Sequence, residues 1–162
     1  MGPVEVLADQ WRRSCWTDAW HGASLGALLR DVDAETAASH PIPGAHSIWE
    51  VVLHLTGWTD EVGRRMEGHE PGQPPAGDWP APPEPTAASW QAALDGLAAA
   101  QGRLEARLLA FPAARLAERV GSVRDAPLGT GVSFEGMLNG LLQHNAYHGG
   151  QIALLRRASG LR

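Results

Sequence analysis

Two histidines one helical turn apart are the residues of this chain best suited to chemistry. His144 and His148 lie four positions apart in the segment 143–155, whose pattern predicts a helix with both imidazoles on one face. A third histidine, His54, lies in the middle of another predicted helix. Three imidazoles leave a fourth coordination position open, which is typical of catalytic zinc sites. The spacing predicts a metal site formed by His54, His144 and His148.

Packed core histidines are the alternative interpretation of the same pattern. The face that carries His144 and His148 is otherwise apolar, and burying unpartnered imidazoles there is costly, whereas a bound metal removes that cost. Zn²⁺ is the first choice of ion, with Ni²⁺, Fe²⁺ or Mn²⁺ as alternatives, because imidazole binds all of them.

Two further residues are weaker site candidates. Gln151 follows His148 on the same face, where its side chain can orient a ligand or a substrate. His21 is a candidate for the mouth of a cavity, and a solvated histidine is an equally good interpretation. Cys15 is the only cysteine, and we expect it to be a small core residue rather than a reactive thiol. Trp20, Trp79 and Trp90 are assigned first to the core, with a pocket or a dimer interface as the alternative.

Four long segments have the apolar period of an amphipathic helix. They span about residues 4–30, 47–68, 86–109 and 133–158, with a break expected near 21–24 in the first. A capping box, Ser47 with Glu50, marks the start of the second. A short helical turn is expected over 33–39, and no segment is a convincing strand. The pattern therefore predicts an all-α fold, a four-helix bundle in a single domain over residues 1–162.

The connections between these helices are predicted to be irregular. Seven prolines lie between residues 69 and 86, and they rule out a helix there. A loop of that length can cross the end of a bundle and join two helices that run in the same direction. Residues 112–132 are expected to lack helix and to contain a turn or a short hairpin at 128–131.

Composition excludes several classes of function. The net charge is −5 and the 13 basic residues are all arginine, so lysine Schiff-base chemistry and P-loop nucleotide binding are excluded. No basic stripe is present, which argues against nucleic-acid binding. Apolar runs are too short for a membrane span, and the N-terminus lacks the pattern of a signal peptide. We therefore expect a cytoplasmic protein that contacts neither nucleic acid nor membrane.

The chain resembles the DinB/YfiT superfamily of metal-dependent four-helix bundles. The resemblance rests on Pro-Gly-Ala-His-Ser-Ile-Trp-Glu at 43–50, His-Leu-Thr-Gly-Trp at 54–58 and His-Asn-Ala-Tyr-His-Gly-Gly-Gln-Ile at 144–152. Asp-Trp-Pro at 78–80 and Trp90 are also similar, and the matching motifs extend in order over nearly the whole chain. Carried over by motif, the family's three metal-binding histidines are His54, His144 and His148.

The resemblance also implies an activity and an assembly. Some members of the family transfer low-molecular-weight thiols such as bacillithiol, mycothiol or glutathione to electrophiles, and many form homodimers. The expected function is thus thiol transfer to a small-molecule electrophile, or metal-assisted hydrolysis, on a divalent metal with a thiol cosubstrate. The alternative is a non-catalytic stress-response protein that binds a metal or a small ligand. The segment His-Asn-Ala-Tyr-His contains no glutamate after His144, so a zinc-protease mechanism is unsupported.

Overall fold

Helices account for nearly all the regular structure of the protein. The computed structural model describes residues 1–161. Its elements, in chain order, are α1 (Pro3–Trp16), β1 (Asp18–Ala19), β2 (Gly22–Ala23), α2 (Leu25–Leu29), α3 (Ala34–Ala38), α4 (Ile48–Met66), α5 (Ala87–Ala110), a 3₁₀ helix (Ala113–Ala117) and α6 (Phe134–Ala158). The long helices α1, α4, α5 and α6 form the bundle. The predicted all-α class and four-helix bundle are confirmed.

Side-chain caps start three of the long helices. The Ser47 hydroxyl accepts a hydrogen bond from the backbone N–H of Glu50 at 3.2 Å, and the Glu50 carboxylate accepts one from the backbone N–H of Ser47 at 2.7 Å. This is the capping box that the sequence predicts for α4. Thr86 and Ser133 cap α5 and α6, each by accepting from the backbone N–H three residues further on. The caps fix where α4 and α6 begin, and the apolar stripe of each helix sets which face turns inward.

The first segment departs from the sequence prediction. We expected helix over residues 4–30 with a break near 21–24, but α1 ends at Trp16 and the chain then forms the antiparallel hairpin β1–β2. The absence of strands was therefore a wrong prediction, although the hairpin has only two residues in each strand. Gly22 has a φ of 133°, which only glycine adopts without strain. Trp20, expected in the core, lies in this turn and is 100% exposed.

Helices α4 and α5 run in the same direction. The indole rings of Trp49 and Trp90, near the start of each helix, have centroids 5.1 Å apart. Near the other ends, Arg107 Nε of α5 donates to Glu67 Oε1 at 2.6 Å. The proline-rich loop therefore brings the chain back to the end of the bundle where α4 begins, as the sequence analysis predicted from its length. The exposed Arg–Glu pair contributes little to stability, but its position shows that the two helices end on the same side.

Helix α6 runs antiparallel to α4, so that the histidines of the two helices lie at the same level. Buried apolar residues form one cluster at each end of the bundle. Met66 of α4 and Met137 of α6 belong to the first cluster, and Trp49 and Ile152 belong to the second. On α6, His144 and His148 lie between the residues of the two clusters, and on α4 His54 is flanked by Val52 and Leu55 of the second cluster.

The connection between α5 and α6 has more regular structure than expected. It contains the 3₁₀ helix Ala113–Ala117 and an isolated antiparallel bridge between Arg119 and Ser133. A turn follows, in which the backbone N–H of Thr130 donates to the carbonyl of Asp125 at 3.0 Å. This turn folds the segment 124–129 toward the bundle. In the part of the chain described, no helix is both long and apolar enough to cross a membrane.

Candidate metal centre

Three imidazoles from two helices converge at one point. His54 lies on α4, and His144 and His148 lie one turn apart on α6. The Nε2 atom of His144 is 2.8 Å from Nε2 of His54 and 3.1 Å from Nε2 of His148. The side chains of His54 and His148 are buried, and the three potential ligand atoms lie within 4.8 Å of one another. This cluster can hold a metal ion.

Hydrogen bonds on the far side of two rings direct their lone pairs inward. His54 Nδ1–H donates to the backbone carbonyl of Asp78 at 2.7 Å, and His148 Nδ1–H donates to Gln151 Oε1 at 2.6 Å. A neutral imidazole carries one proton, so a proton on Nδ1 leaves Nε2 with a free lone pair. Oxygen acceptors behind the ring are the usual support of a metal-bound histidine.

Burial keeps the cluster neutral. It lowers the pKa of His54, and it lowers the pKa of His144 to about 3, with the neighbouring histidines adding to the effect. Burial also lowers the pKa of His148 to about 4, although the hydrogen bond to Gln151 opposes the shift. Neutral imidazole is the form that binds a metal. The three rings are therefore in the ligating form at neutral pH.

A divalent cation fits the donor set better than protons do. A proton on His144 Nε2 can be donated to His54 or to His148 but not fully to both, and the Nε2 lone pair of the other ring is then left without a donor. A cation at the centre satisfies all three nitrogens. Bonds of 2.0–2.1 Å to tetrahedral zinc place its nitrogen ligands about 3.3 Å apart. The observed Nε2 contacts of 2.8 and 3.1 Å need to open by only a few tenths of an ångström. His144 Nδ1 is buried and lacks a hydrogen-bond partner among residues 1–161.

The proline-rich loop closes one side of the cluster. Trp79 stacks on His54 with ring centroids 3.9 Å apart, and its other face stacks on His46 at 3.6 Å. The loop approaches α4 at Gly57, where an added Cβ would lie only 3.0 Å from Pro74. Any larger residue at position 57 would push the loop outward. The absence of a side chain there therefore helps to bring Trp79 over the ring of His54.

A hydrogen-bonded carboxylate stands behind His54. Asp78 Oδ1 accepts from Trp58 Nε1 at 2.6 Å and lies 3.2 Å from His54 Nδ1. The ring of His54 is thus held by the backbone and the side chain of the same residue. Such partners fix the orientation of a ligating ring and increase its basicity.

A cavity of about 520 Å³ adjoins the histidines. His54 and His144 line one part of it, apolar residues of α4 and α6 line its sides, and the segment 124–129 lines another part. This volume is within the usual range for small-molecule sites. The metal centre therefore has room beside it for a substrate.

Comparison with known families places this arrangement in a wider group. A model of the DinB superfamily matches residues 18–152. The chain belongs to the DinB superfamily. Comparisons with curated proteins and with solved structures gave no match. The DinB match covers all three histidines of the cluster, and it bears out the resemblance that the sequence motifs carried.

The structure separates the two weaker candidates. Gln151 lies within hydrogen-bond distance of His148 and therefore beside the three-histidine cluster. His21 lies in the exposed turn of the β1–β2 hairpin and is not among the residues that line the cavity. The place at the cavity mouth assumed that His21 lies on the first helix, whereas the exposed turn agrees with the alternative of a solvated histidine. Cys15 is fully buried, which raises the pKa of its thiol to about 12 and makes it a poor nucleophile.

Sequence reasoning missed the residues that support and surround the histidines. Asp78 was noticed only as part of a motif, Trp79 was assigned to the core or to a pocket, and no spacing rule connects either of them to His54. Arg124 lines the cavity from an irregular segment, and no periodic pattern predicts where such a segment folds. The prolines at 74 and 75 predicted a loop, but not which surface of α4 the loop would contact.

Proposed function

We propose that this protein binds one divalent cation, Zn²⁺ in the first place, through His54, His144 and His148. We further propose that it transfers a low-molecular-weight thiol to a small electrophile. The observation that carries the proposal is the convergence of three Nε2 atoms, two of them in rings whose Nδ1–H groups donate to oxygen. A cation bound there lowers the pKa of a thiol or a water molecule and supplies a nucleophile near neutral pH.

The polar groups around the cavity favour a thiol over water as the nucleophile. Among the described residues that line the cavity, the only carboxylate is Asp78, which already accepts from Trp58 and supports His54. No other carboxylate lies there to act as a general base. A thiol has a pKa of about 8.5, against about 15.7 for water, and therefore needs much less help to ionise. Hydrolysis is the second reaction that the same centre supports.

The test is turnover with defined thiols. Zinc-loaded protein is mixed with bacillithiol, mycothiol or glutathione and with chlorodinitrobenzene as the electrophile, and loss of the thiol is followed. We expect metal-dependent turnover with a kinetic pKa near neutrality, which His54→Ala abolishes. His69→Ala is the matched control, since His69 is exposed and distant in sequence from the cluster. It should retain full activity.

Two outcomes would overturn the enzymatic proposal. Wild-type rates in His148→Ala would show that the cluster takes no part in turnover. Stoichiometric metal binding without turnover of thiols or of hydrolysable esters would support the non-catalytic alternative, a protein that binds a metal or a small ligand. Turnover of the esters without a thiol would identify hydrolysis, and turnover that requires a thiol would identify thiol transfer.

The homodimer implied by the family resemblance stays a prediction. Tyr147 and Leu154 of α6 are 65% and 58% exposed and lie seven residues apart, on one outward face of the helix. Sedimentation of the wild type beside Leu154→Glu tests it. A dimer that dissociates in the variant would support this face as the interface, and a monomeric wild type would overturn the dimer.

A further inference from the structure

The two histidines of α6 continue a row that begins with two glycines. Gly136, Gly140, His144 and His148 follow one another at four-residue intervals, which places them along one side of the helix. Gly136, Gly140 and His144 all line the 520 Å³ cavity. A Cβ added at Gly140 would meet nothing within 4 Å. The helix wall of the cavity is therefore open at Gly140, and this wall extends about 12 Å from Gly136 to His144 at the metal centre.

The remaining walls are mostly apolar, and the charged side chains among them are Arg65, Asp78 and Arg124. Val62, Met137 and Leu141 are buried residues that contribute apolar surface to the cavity. Arg65 also lines it, but this guanidinium donates to the Glu61 carboxylate at 3.0 Å, to the Leu128 carbonyl at 2.7 Å and to the Gly72 carbonyl at 2.9 Å. The charge of Arg65 is thus already neutralised within the fold.

Arg124 carries a charge that the fold does not neutralise. Its Nη1 donates to the carbonyls of Asp125 and Thr130 at 3.1 and 3.0 Å, which hold the side chain in place. Within residues 1–161, no carboxylate forms an ion pair with this guanidinium. Arg124 is exposed and lines the cavity together with the histidines. The remaining N–H groups of the guanidinium are donors in the geometry that suits a carboxylate.

We infer that the cavity takes an organic acid, whose carboxylate pairs with Arg124 and whose apolar body lies along Gly140 with its far end toward the histidines. The inference names the substrate class of the site and so rests on the function proposed above. Apolar walls contribute affinity without direction, whereas a single positive charge at one end fixes which way the molecule lies. Arg124 is in this account a specificity-determining residue rather than a catalytic one.

Calorimetric titration with a thiol series tests the inference. The probes are mercaptoalkanoic acids of increasing chain length and their primary amides, added to zinc-loaded and to metal-free protein. We expect an acid of suitable length to bind, and Arg124→Gln to weaken acid binding about tenfold while leaving amide binding unchanged, because a charge-assisted hydrogen bond is lost. Arg157→Gln, which changes an exposed arginine outside the cavity, is the matched control.

A second variant tests the position of the apolar body. Gly140→Phe projects a ring into the space beside Gly140 and should abolish binding of acids and amides alike. Gly140→Ala, which adds one methyl group, should leave most binding intact. Equal acid affinity in Arg124→Gln and wild type, or unchanged binding in Gly140→Phe, would overturn the inference.

The metal content of each sample separates this inference from the proposed function. If zinc is bound and the acid affinity is the same with and without Arg124, the inference is overturned but the proposed metal centre is not. If no zinc is bound, the proposed function is overturned. Titrations of the metal-free protein then show whether acid binding depends on Arg124. No acid binding in either form would also overturn the inference.

Discussion

At the scale of single residues, the site depends on which nitrogen of each ring carries the proton. The oxygen atoms behind His54 and His148 accept from Nδ1 and leave Nε2 free to ligate. One acceptor is a backbone carbonyl and cannot be removed by substitution. The other is the side chain of Gln151, which makes the contribution of ring orientation measurable.

Replacing Gln151 should weaken metal binding without removing a ligand. In Gln151→Ala the His148 ring loses its acceptor and can rotate or change its protonated nitrogen, and we expect a loss of about 10–100-fold in zinc affinity. Competition with a chromophoric chelator measures it. Gln143→Ala removes an exposed glutamine from the same helix and should change nothing. Equal affinities in the two variants would contradict the orienting role of Gln151.

The lowered pKa values predict acid sensitivity of the metal-free protein. Unfolded histidine titrates near 6.5, whereas burial holds the pKa of His144 at about 3 and that of His148 at about 4. Between these values the unfolded state binds more protons, so the free energy of unfolding falls as the pH falls below 6.5. Urea unfolding from neutral pH to about pH 5.5 measures this before the protonation of carboxyl groups contributes. His144→Gln should reduce the slope, and a flat profile in the wild type would contradict the account.

At the scale of elements, a buried ion pair ties two loops to α4. Glu61 and Arg65 are almost completely buried, and the Glu61 carboxylate also accepts from the backbone N–H of Gly72 at 2.9 Å. Arg65 holds Leu128 of the segment beside the cavity, and its guanidinium lies 5.7 Å from the centre of the Trp58 ring. The support of His54 is thus connected through Trp58 to both loops.

Breaking this pair should cost far more than breaking a neighbouring exposed one. Glu61→Ala leaves the Arg65 charge buried and unpaired, and we expect a loss of about 3–5 kcal/mol in the free energy of unfolding. Asp60→Ala removes the partner of Arg103 in an exposed pair on the same helix and should cost about 0.2–1 kcal/mol. Urea unfolding of both variants measures the difference. Equal losses would show that the buried pair is not the anchor of the loops.

The helices and loops also show which parts of the structure can be predicted from the sequence. Caps and apolar periodicity predicted α4, α5 and α6 closely, because both are local properties of the chain. They failed between residues 17 and 24, where a hairpin replaced the expected helix. The spacing of His144 and His148 predicted half of the metal centre, and His54 followed from its place on a second helix. The contacts of Asp78, Trp79 and Arg124 depend on how irregular loops pack, which no local period encodes.

At the scale of the whole molecule, two apolar clusters stabilise the two ends of the bundle, and the histidines connect α4 to α6 away from both ends. A cation there would join α4 to α6 at a level where neutral imidazoles otherwise face one another. Metal binding to the folded state alone stabilises that state by mass action. Metal binding and the stability of the bundle are therefore coupled.

Zinc should raise the melting temperature of the bundle. At a free zinc concentration about 100 times Kd the stabilisation is about 2.7 kcal/mol, which corresponds to about 5–10 °C for a chain of this size. Differential scanning calorimetry of the wild type and His148→Ala measures the shift. An equal shift in both proteins would place the zinc elsewhere.

Metal content is the most direct test of the three-histidine centre. Untagged wild-type protein, His54→Ala, His148→Ala and the exposed control His69→Ala are purified in parallel, and each is analysed by inductively coupled plasma mass spectrometry. We expect about one equivalent of a transition metal per chain in the wild type and in His69→Ala, and a loss of that metal in the other two. A wild type that contains no metal, and takes up none when Zn²⁺ or Ni²⁺ is added, would contradict the account and leave the three histidines as packed core residues.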